Sequence, residues 1–313
     1  MRHFILFFLF LISLPFRFSG QEQVLPLKQD SVRFAVIGDS GSGSAQQYEL
    51  AGLMAEWRKK FPFDFVIMLG DNIYGGEKPR DFERKFEQPY KALLDQGINF
   101  YASLGNHDNP NQRFYKLFNM KEQRYYAFTR ANVRFFVLDS NYMDPQQLDW
   151  TEKELRASTS AWKICYFHHP LYSSGEKHGP DNDLRLILEP LFLKYGVNVV
   201  FAGHEHFYER INPQKGIYYF ISGSASKLRR HNIARSDLTA TGFDLDLSFM
   251  LVEITGDELY FQTIARLGKT VDSGIIHRTL SKSGDVTGEL EYQRVQTLVA
   301  AAEFLVQGSI SSY

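Results

Sequence analysis

The stretch "VVFAGHEHFYER", residues 199–210, leaves an apolar run through a glycine and presents two histidines one residue apart. Neutral imidazole is the commonest side-chain metal ligand. In extended backbone alternate residues face one way, so His204 and His206 could enter one site while Glu205 points elsewhere. Core packing or a solvent-facing role serves the pair equally well until further ligands accompany it. Four earlier apolar runs likewise end in polar groups, three of them through a glycine: "RFAVIGD" (33–39), "DFVIMLGD" (64–71), "NFYASLGNHD" (99–108) and "WKICYFHH" (162–169). Together the five ends supply Asp39, Asp71, Asn106, His168, His204 and His206, with Tyr74 one short loop beyond Asp71. Oxygen and imidazole donors without thiolates suit iron, manganese or zinc. Seven candidates are too many for one tetrahedral ion and fit two ions that share a bridge.

Each of these runs predicts a buried strand that delivers polar groups at its C-terminal end, the place where ligands collect in open α/β sheets. Helical spacing occupies 44–60, 79–95, 145–158 and 182–195, with Gly196 as a C-terminal stop. "YYAFTRANVRFFVLDS" (125–140) and "SFMLVEITGDELYFQTIA" (248–265) predict hairpins turning at Ala131-Asn132 and Gly256-Asp257. The chain is therefore mixed α/β. With 313 residues, 44% of them hydrophobic, it can bury a large core. A net charge of -1 provides no global field for nucleic acid or an anionic membrane, so neither is expected as a stable partner, and attraction for an anionic substrate must be local.

The N-terminus, "MRHFILFFLFLISLPFRFSGQEQ", has a basic start and an apolar run too short for a comfortable membrane span. It predicts a secretory signal over about residues 1–20 and a secreted or periplasmic protein. Cys165 is the sole cysteine, so no internal disulfide forms, and no N-x-S/T glycosylation acceptor occurs. The ligand candidates span residues 39 to 206 and must converge, which predicts one catalytic domain over 30–280. A polar linker and a helical stripe follow over 281–313.

"GDSG" (38–41), "GDNIY" (70–74), "GNHD" (105–108), "YFHH" (166–169) and "GHEH" (203–206) resemble, in order, the five motif blocks of the purple acid phosphatases. The likeness is to the small tartrate-resistant type within the calcineurin-like metallophosphoesterase superfamily, and "HHPLYSSGEKHGP" (168–180) adds that type's further histidine. The resemblance covers about residues 33 to 280. It implies a four-layer α/β/β/α sandwich of two mixed sheets. It also implies that Asp39, Tyr74 and His206 hold a ferric ion, that Asn106, His168 and His204 hold a divalent one (iron, zinc or manganese), and that Asp71 bridges them. An ionised phenol beside a highly charged metal is consistent with this, since bound cations invert ordinary pKa logic. The implied reaction is hydrolysis of a phosphate monoester, a small phosphorylated substrate attacked in line by hydroxide held on the metals. His107 and His178 are the candidate proton donors to the leaving alcohol.

On an extended strand His169 would face away from His168, so it is expected to play a supporting role, as are Asp108 and Glu205. "GDSGSGS" (38–44) lacks the Lys-Ser/Thr of a nucleotide-triphosphate loop. Cys165 is expected to be buried and inert, and "KLRR" (227–230), a small basic patch that could touch substrate, is read as an ordinary solvated loop. Mammalian members of the family carry a long inhibitory loop before the helix near 147. Here only seven residues separate Asp139 from Gln147, which argues against control by cleaving such a loop. The rival readings are a phosphodiesterase or nucleotidase on the same metal core, and a metal-binding protein without turnover.

Overall fold

The computed structural model describes residues 25–278; the predicted leader and the C-terminal helical stripe lie outside the described residues. Among the described residues thirteen strands form two sheets. The first contains β1 (Val32–Ile37), β2 (Phe65–Met68), β3 (Asn99–Ala102), β11 (Ser248–Thr255), β12 (Glu258–Ala265) and β13 (Thr270–His277), in the order β13-β12-β11-β1-β2-β3. The second contains β4 (Tyr126–Arg130), β5 (Val133–Val137), β6 (Trp162–Phe167), β7 (Val199–Ala202), β8 (Tyr208–Ile211), β9 (Tyr218–Ser222) and β10 (Thr239–Phe243), in the order β10-β8-β9-β7-β6-β5-β4. Both sheets are mixed. In the first, β1, β2 and β3 are mutually parallel and β11 runs against β1. In the second, β5, β6, β7 and β9 are parallel neighbours. The two predicted hairpins are present as β4–β5 and β11–β12.

The sheets meet through aromatic rings. Phe34 of β1 lies edge-on to Phe135 of β5 (5.3 Å) and to Phe201 of β7 (6.2 Å), and Phe65 of β2 meets Phe135 at 5.5 Å. Such edge-to-face pairs contribute about 0.5–1.5 kcal/mol each beyond area burial. Helix α1 (Ala45–Lys60) buries Leu50 and Met54 in this same core. Helices α4 (Pro145–Ala157) and α5 (Asn182–Tyr195) contribute to a second core, in which Leu155, Leu188 and Phe192 join Phe136, Cys165 and Phe167. The result is the expected layering of two mixed sheets with helices outside. Cys165 is fully buried, and burial pushes its thiol pKa up. Among the described residues no helix is long and apolar enough to cross a membrane.

Two local expectations need correction. The segment 79–95 is not one helix: α2 (Pro79–Phe82) passes into a π-helical turn, Glu83–Glu87, and α3 (Lys91–Leu94) starts afresh after Pro89. Pro89 has no N–H to continue the ladder and its ring collides with the carbonyl four residues earlier. Strands β8, β9, β10 and β13 were not anticipated, although "YYFISG" (218–223) carries the same apolar-run-then-glycine pattern as four of the five strand ends. The short 139–147 connection is stapled by Gln147, which accepts from the Asp139 N–H and donates to the carbonyls of Asp139 and Tyr142.

Candidate metal centre

The parallel strands β1, β2 and β3 of one sheet and β6 and β7 of the other end at the same edge of the sandwich. Three of the turns that follow repeat one device, a glycine and then a ligand candidate in left-handed backbone: Asp39 at φ 54°, Asp71 at φ 51° and His204 at φ 67°. A non-glycine residue held there costs on the order of 1–3 kcal/mol and persists only where its surroundings dictate it. The glycines answer to crowding. A Cβ on Gly203 would lie 2.7 Å from Asp39 Oδ2 and 2.8 Å from the Leu69 carbonyl, and one on Gly105 would overlap the Asp71 amide and Oδ1. The Gly105→Ala variant is therefore expected to push Asp71 out of place and to lose several kcal/mol of stability, of the order seen for overpacked cores. Thermal unfolding checks this; an unchanged midpoint would refute it.

The seven candidates converge, and they form two triangles. In the first, the Tyr74 hydroxyl donates to Asp39 Oδ1 (3.0 Å) and lies 3.2 Å from His206 Nε2, which is itself 3.3 Å from Asp39 Oδ1. In the second, Asn106 Oδ1, His168 Nε2 and His204 Nδ1 are separated by 2.9, 3.0 and 3.1 Å. Asp71 Oδ1 lies 3.5 Å from His168 Nε2, and Asp39, Asp71 and His168 offer ligand atoms within 4.8 Å of one another. Ligands at ~2.0–2.2 Å on perpendicular axes of one ion stand ~3 Å apart, the edge length of both triangles.

Protonation fits the same use. His168 Nδ1 can only donate to the Leu69 carbonyl, 2.9 Å away, so in the neutral ring Nε2 carries a bare lone pair aimed at Asn106 Oδ1. A metal-bound histidine characteristically anchors its other nitrogen in this way. Burial, reinforced by His169, holds the His168 pKa well below the usual value. Burial and His168 bring His204 to about 2, and burial and Arg229 bring His206 to about 4. Asp39 and Asp71 are almost wholly buried, and among the described residues no Lys or Arg pairs with them. Burial and Asp71 raise the Asp39 carboxyl, and burial with both carboxylates raises the Tyr74 phenol. A buried cluster of acids, phenol and bare imidazole nitrogens is the donor set of a cation site.

His107 and His178 stand at the rim, both exposed. The His107 ring is 5.0 Å from that of Tyr74, and its amide donates to Asp71 Oδ1 (2.9 Å). The His178 ring is 4.3 Å from that of His204. Asp108 accepts from the amides of Gly105, Asn72 and Ile73 and thus ties the 70–74 and 105–108 turns together. Glu205 is fully buried and accepts from the Gly179 amide (2.7 Å) and Arg229 (3.1 Å).

Three readings of these residues change. His204 and His206 reach the site by another route than strand alternation: β7 stops at Ala202, and past the left-handed turn at His204 one ring lies in each triangle, the grouping the resemblance implied. His169 does not face away, since β6 stops at Phe167 and strand alternation no longer applies. Its ring lies 4.5 Å from that of His204, its Nδ1 is 2.9 Å from Ser140 Oγ, and its nitrogens lie near enough to His168 and His204 to share an ion. "KLRR" is not a solvated loop: Lys227 Nζ sits 4.5 Å over the Tyr74 ring, Leu228 packs on the core, and Arg229 holds Glu205. Lys85, within the π-turn, was also missed. It is almost wholly buried, donates to the carbonyls of Tyr74 (2.6 Å) and Gly76 (3.0 Å), and so fixes the Tyr74 loop; π-turns recur at functional sites.

Fold and site define a metallophosphoesterase: the calcineurin-like phosphoesterase family model matches residues 32–208, and the chain belongs to that family, whose members are metal-dependent phosphoester hydrolases. Its relatives include purple acid phosphatases. Over 252 residues the chain is 29% identical to purple acid phosphatase 17 of Arabidopsis thaliana, covering 68% of this chain and 74% of that one. Over 291 residues it is 25% identical to human tartrate-resistant acid phosphatase type 5, covering 77% and 89%. Among solved structures, the fold is shared with GAP50, the anchor in the inner membrane complex of Plasmodium, at a TM-score of 0.72 and 19% identity over 85% of this chain and 94% of that chain. It is also shared with purple acid phosphatase PPD1 of yellow lupin seeds, at 0.63 and 19% over 81% and 55%.

Proposed function

We propose that the chain is an acid phosphatase that hydrolyses phosphate monoesters at a ferric–divalent centre. The observation that supports the reading most is the pair of donor triangles with Asp71 beside them. Asp39, Tyr74 and His206 would hold the ferric ion, Asn106, His168 and His204 the divalent ion (iron, zinc or manganese), and Asp71 would join the two. Such ions would supply Lewis acidity and a hydroxide nucleophile at working pH. Tyr74 argues for the higher charge: burial and two carboxylates keep its phenol protonated in the protein alone, so only a strongly charged cation would ionise it.

The remaining residues have separable tasks. Lys85 and Asp108 hold the two turns that carry Tyr74 and Asn106. Arg229 donates to His178 Nε2 (3.0 Å), so the neutral ring carries its proton on Nδ1, where it can be offered to the departing alcohol oxygen. His107 stands on the Tyr74 side for the same purpose. A positioned acid of this kind contributes about 10²–10⁴ in rate.

The test is metal analysis and the visible spectrum of the purified protein, together with hydrolysis of a matched aryl monoester and diester. Two metals, a tyrosinate band and preference for the monoester are expected. Diester preference would favour the phosphodiesterase reading. Two metals without turnover would leave only a binding role, and a colourless protein with two zinc or manganese ions would overturn the ferric assignment.

A further inference from the structure

The segment after β9 is a strap across the site. On one side the Ala225 amide donates to the Gly38 carbonyl (3.1 Å), the Ser226 hydroxyl donates to the Asp39 carbonyl (2.7 Å), and the Ser42 amide donates to Ser226 Oγ (3.1 Å). On the other side the Arg229 amide donates to the His206 carbonyl (3.0 Å). The strap is thus pinned to the turns of two members of the first triangle, with Lys227 between the pins and its ammonium 4.5 Å over the ring of the third, Tyr74. Arg230 of the strap is exposed, and the two cations nearer the site differ. Arg229 is compensated by the buried Glu205 carboxylate and is committed to His178. Lys227 is half-buried, and among the described residues no carboxylate lies within ion-pair distance of it. An uncompensated ammonium held by fixed backbone at the rim of a buried donor cluster is preorganised for an anion arriving from solvent.

We propose that Lys227 is a substrate-contacting residue that binds a non-bridging oxygen of the phosphate group, and that its charge makes the site rank dianionic monoesters above monoanionic diesters. The proposal rests on the phosphatase reading above. A lone ammonium is a compact point charge rather than a shape-matched fork, so it responds to the charge of the phosphate more than to the leaving group.

The test compares wild type with K227M, K227Q and K227R at equal metal content, reading inorganic phosphate affinity by calorimetry and kcat/KM for a matched aryl monoester and diester. K227M and K227Q are expected to weaken phosphate binding about 10- to 100-fold, the range of one hydrogen bond between charged groups. They are also expected to lower the monoester-to-diester ratio of kcat/KM about tenfold, while K227R restores most of both. The second neutral variant covers the case in which one of them fails to fold. Unchanged phosphate affinity in a neutral variant, or equal losses on both esters, would overturn the role of Lys227. A wild type that hydrolyses neither ester while binding phosphate through Lys227 would overturn the phosphatase reading instead.

Discussion

Asp71→Asn is expected to lower kcat/KM by about 10³ and to reduce bound metal from two ions per chain to one or fewer. Asparagine preserves size and can still accept the His107 amide bond that Asp71 Oδ1 receives. What it removes is the charge and the second anionic oxygen. Asp71 is 1% exposed and sits in left-handed backbone, so the fold has committed strain and burial to presenting this carboxylate. Lewis-acid stabilisation of developing charge supplies several kcal/mol, and each 1.36 kcal/mol is a factor of ten. Metal analysis beside kinetics checks the result. A variant that keeps both metals and more than about a tenth of the activity would show that Asp71 does not join them.

The second large effect separates two adjacent histidines. His168→Ala is expected to lose one metal ion and about 10²–10³ in kcat/KM, whereas His169→Ala is expected to keep both ions and lose about 10–100-fold, the usual cost of a partner behind the ligands. The tautomer argument decides between them. His168 is locked with its Nδ1 proton donated to the Leu69 carbonyl and its free Nε2 among Asn106, His204 and Asp71. His169 has Nδ1 beside Ser140, whose hydroxyl also receives the His169 amide, so its ring is held from behind. Loss of a metal from His169→Ala with retention in His168→Ala would reverse the assignment.

The turn chemistry was written locally. An apolar run, a glycine and a polar residue recur because a strand must end, the chain must turn within tight quarters, and a ligand must point back, all within a few residues. Apolar runs ending in polar residues, four of the five through a glycine, therefore pointed to five strand ends and to seven residues that the fold does bring together. The hairpin turns and the Gly196 stop are local for the same reason. Alternation arguments reached too far at His169 and at the His204–His206 pair, because they assumed strand beyond Phe167 and Ala202. The break in 79–95 was written at Pro89, but that it would set Lys85 under Tyr74 was not.

By itself, then, the sequence determined the order of elements and the residue types presented at their ends, since both depend on contacts within a few positions. The approach of His169, and the placing of Lys227 over Tyr74 and of Arg229 on Glu205, were decided by tertiary structure alone. These depend on two sheets packing face to face and on a strap whose anchor, Ser226 on Asp39, joins residues 187 apart in the chain. No local periodicity carries such a contact, and a short basic run reads the same in solvent as over a buried donor cluster until the sheets have closed.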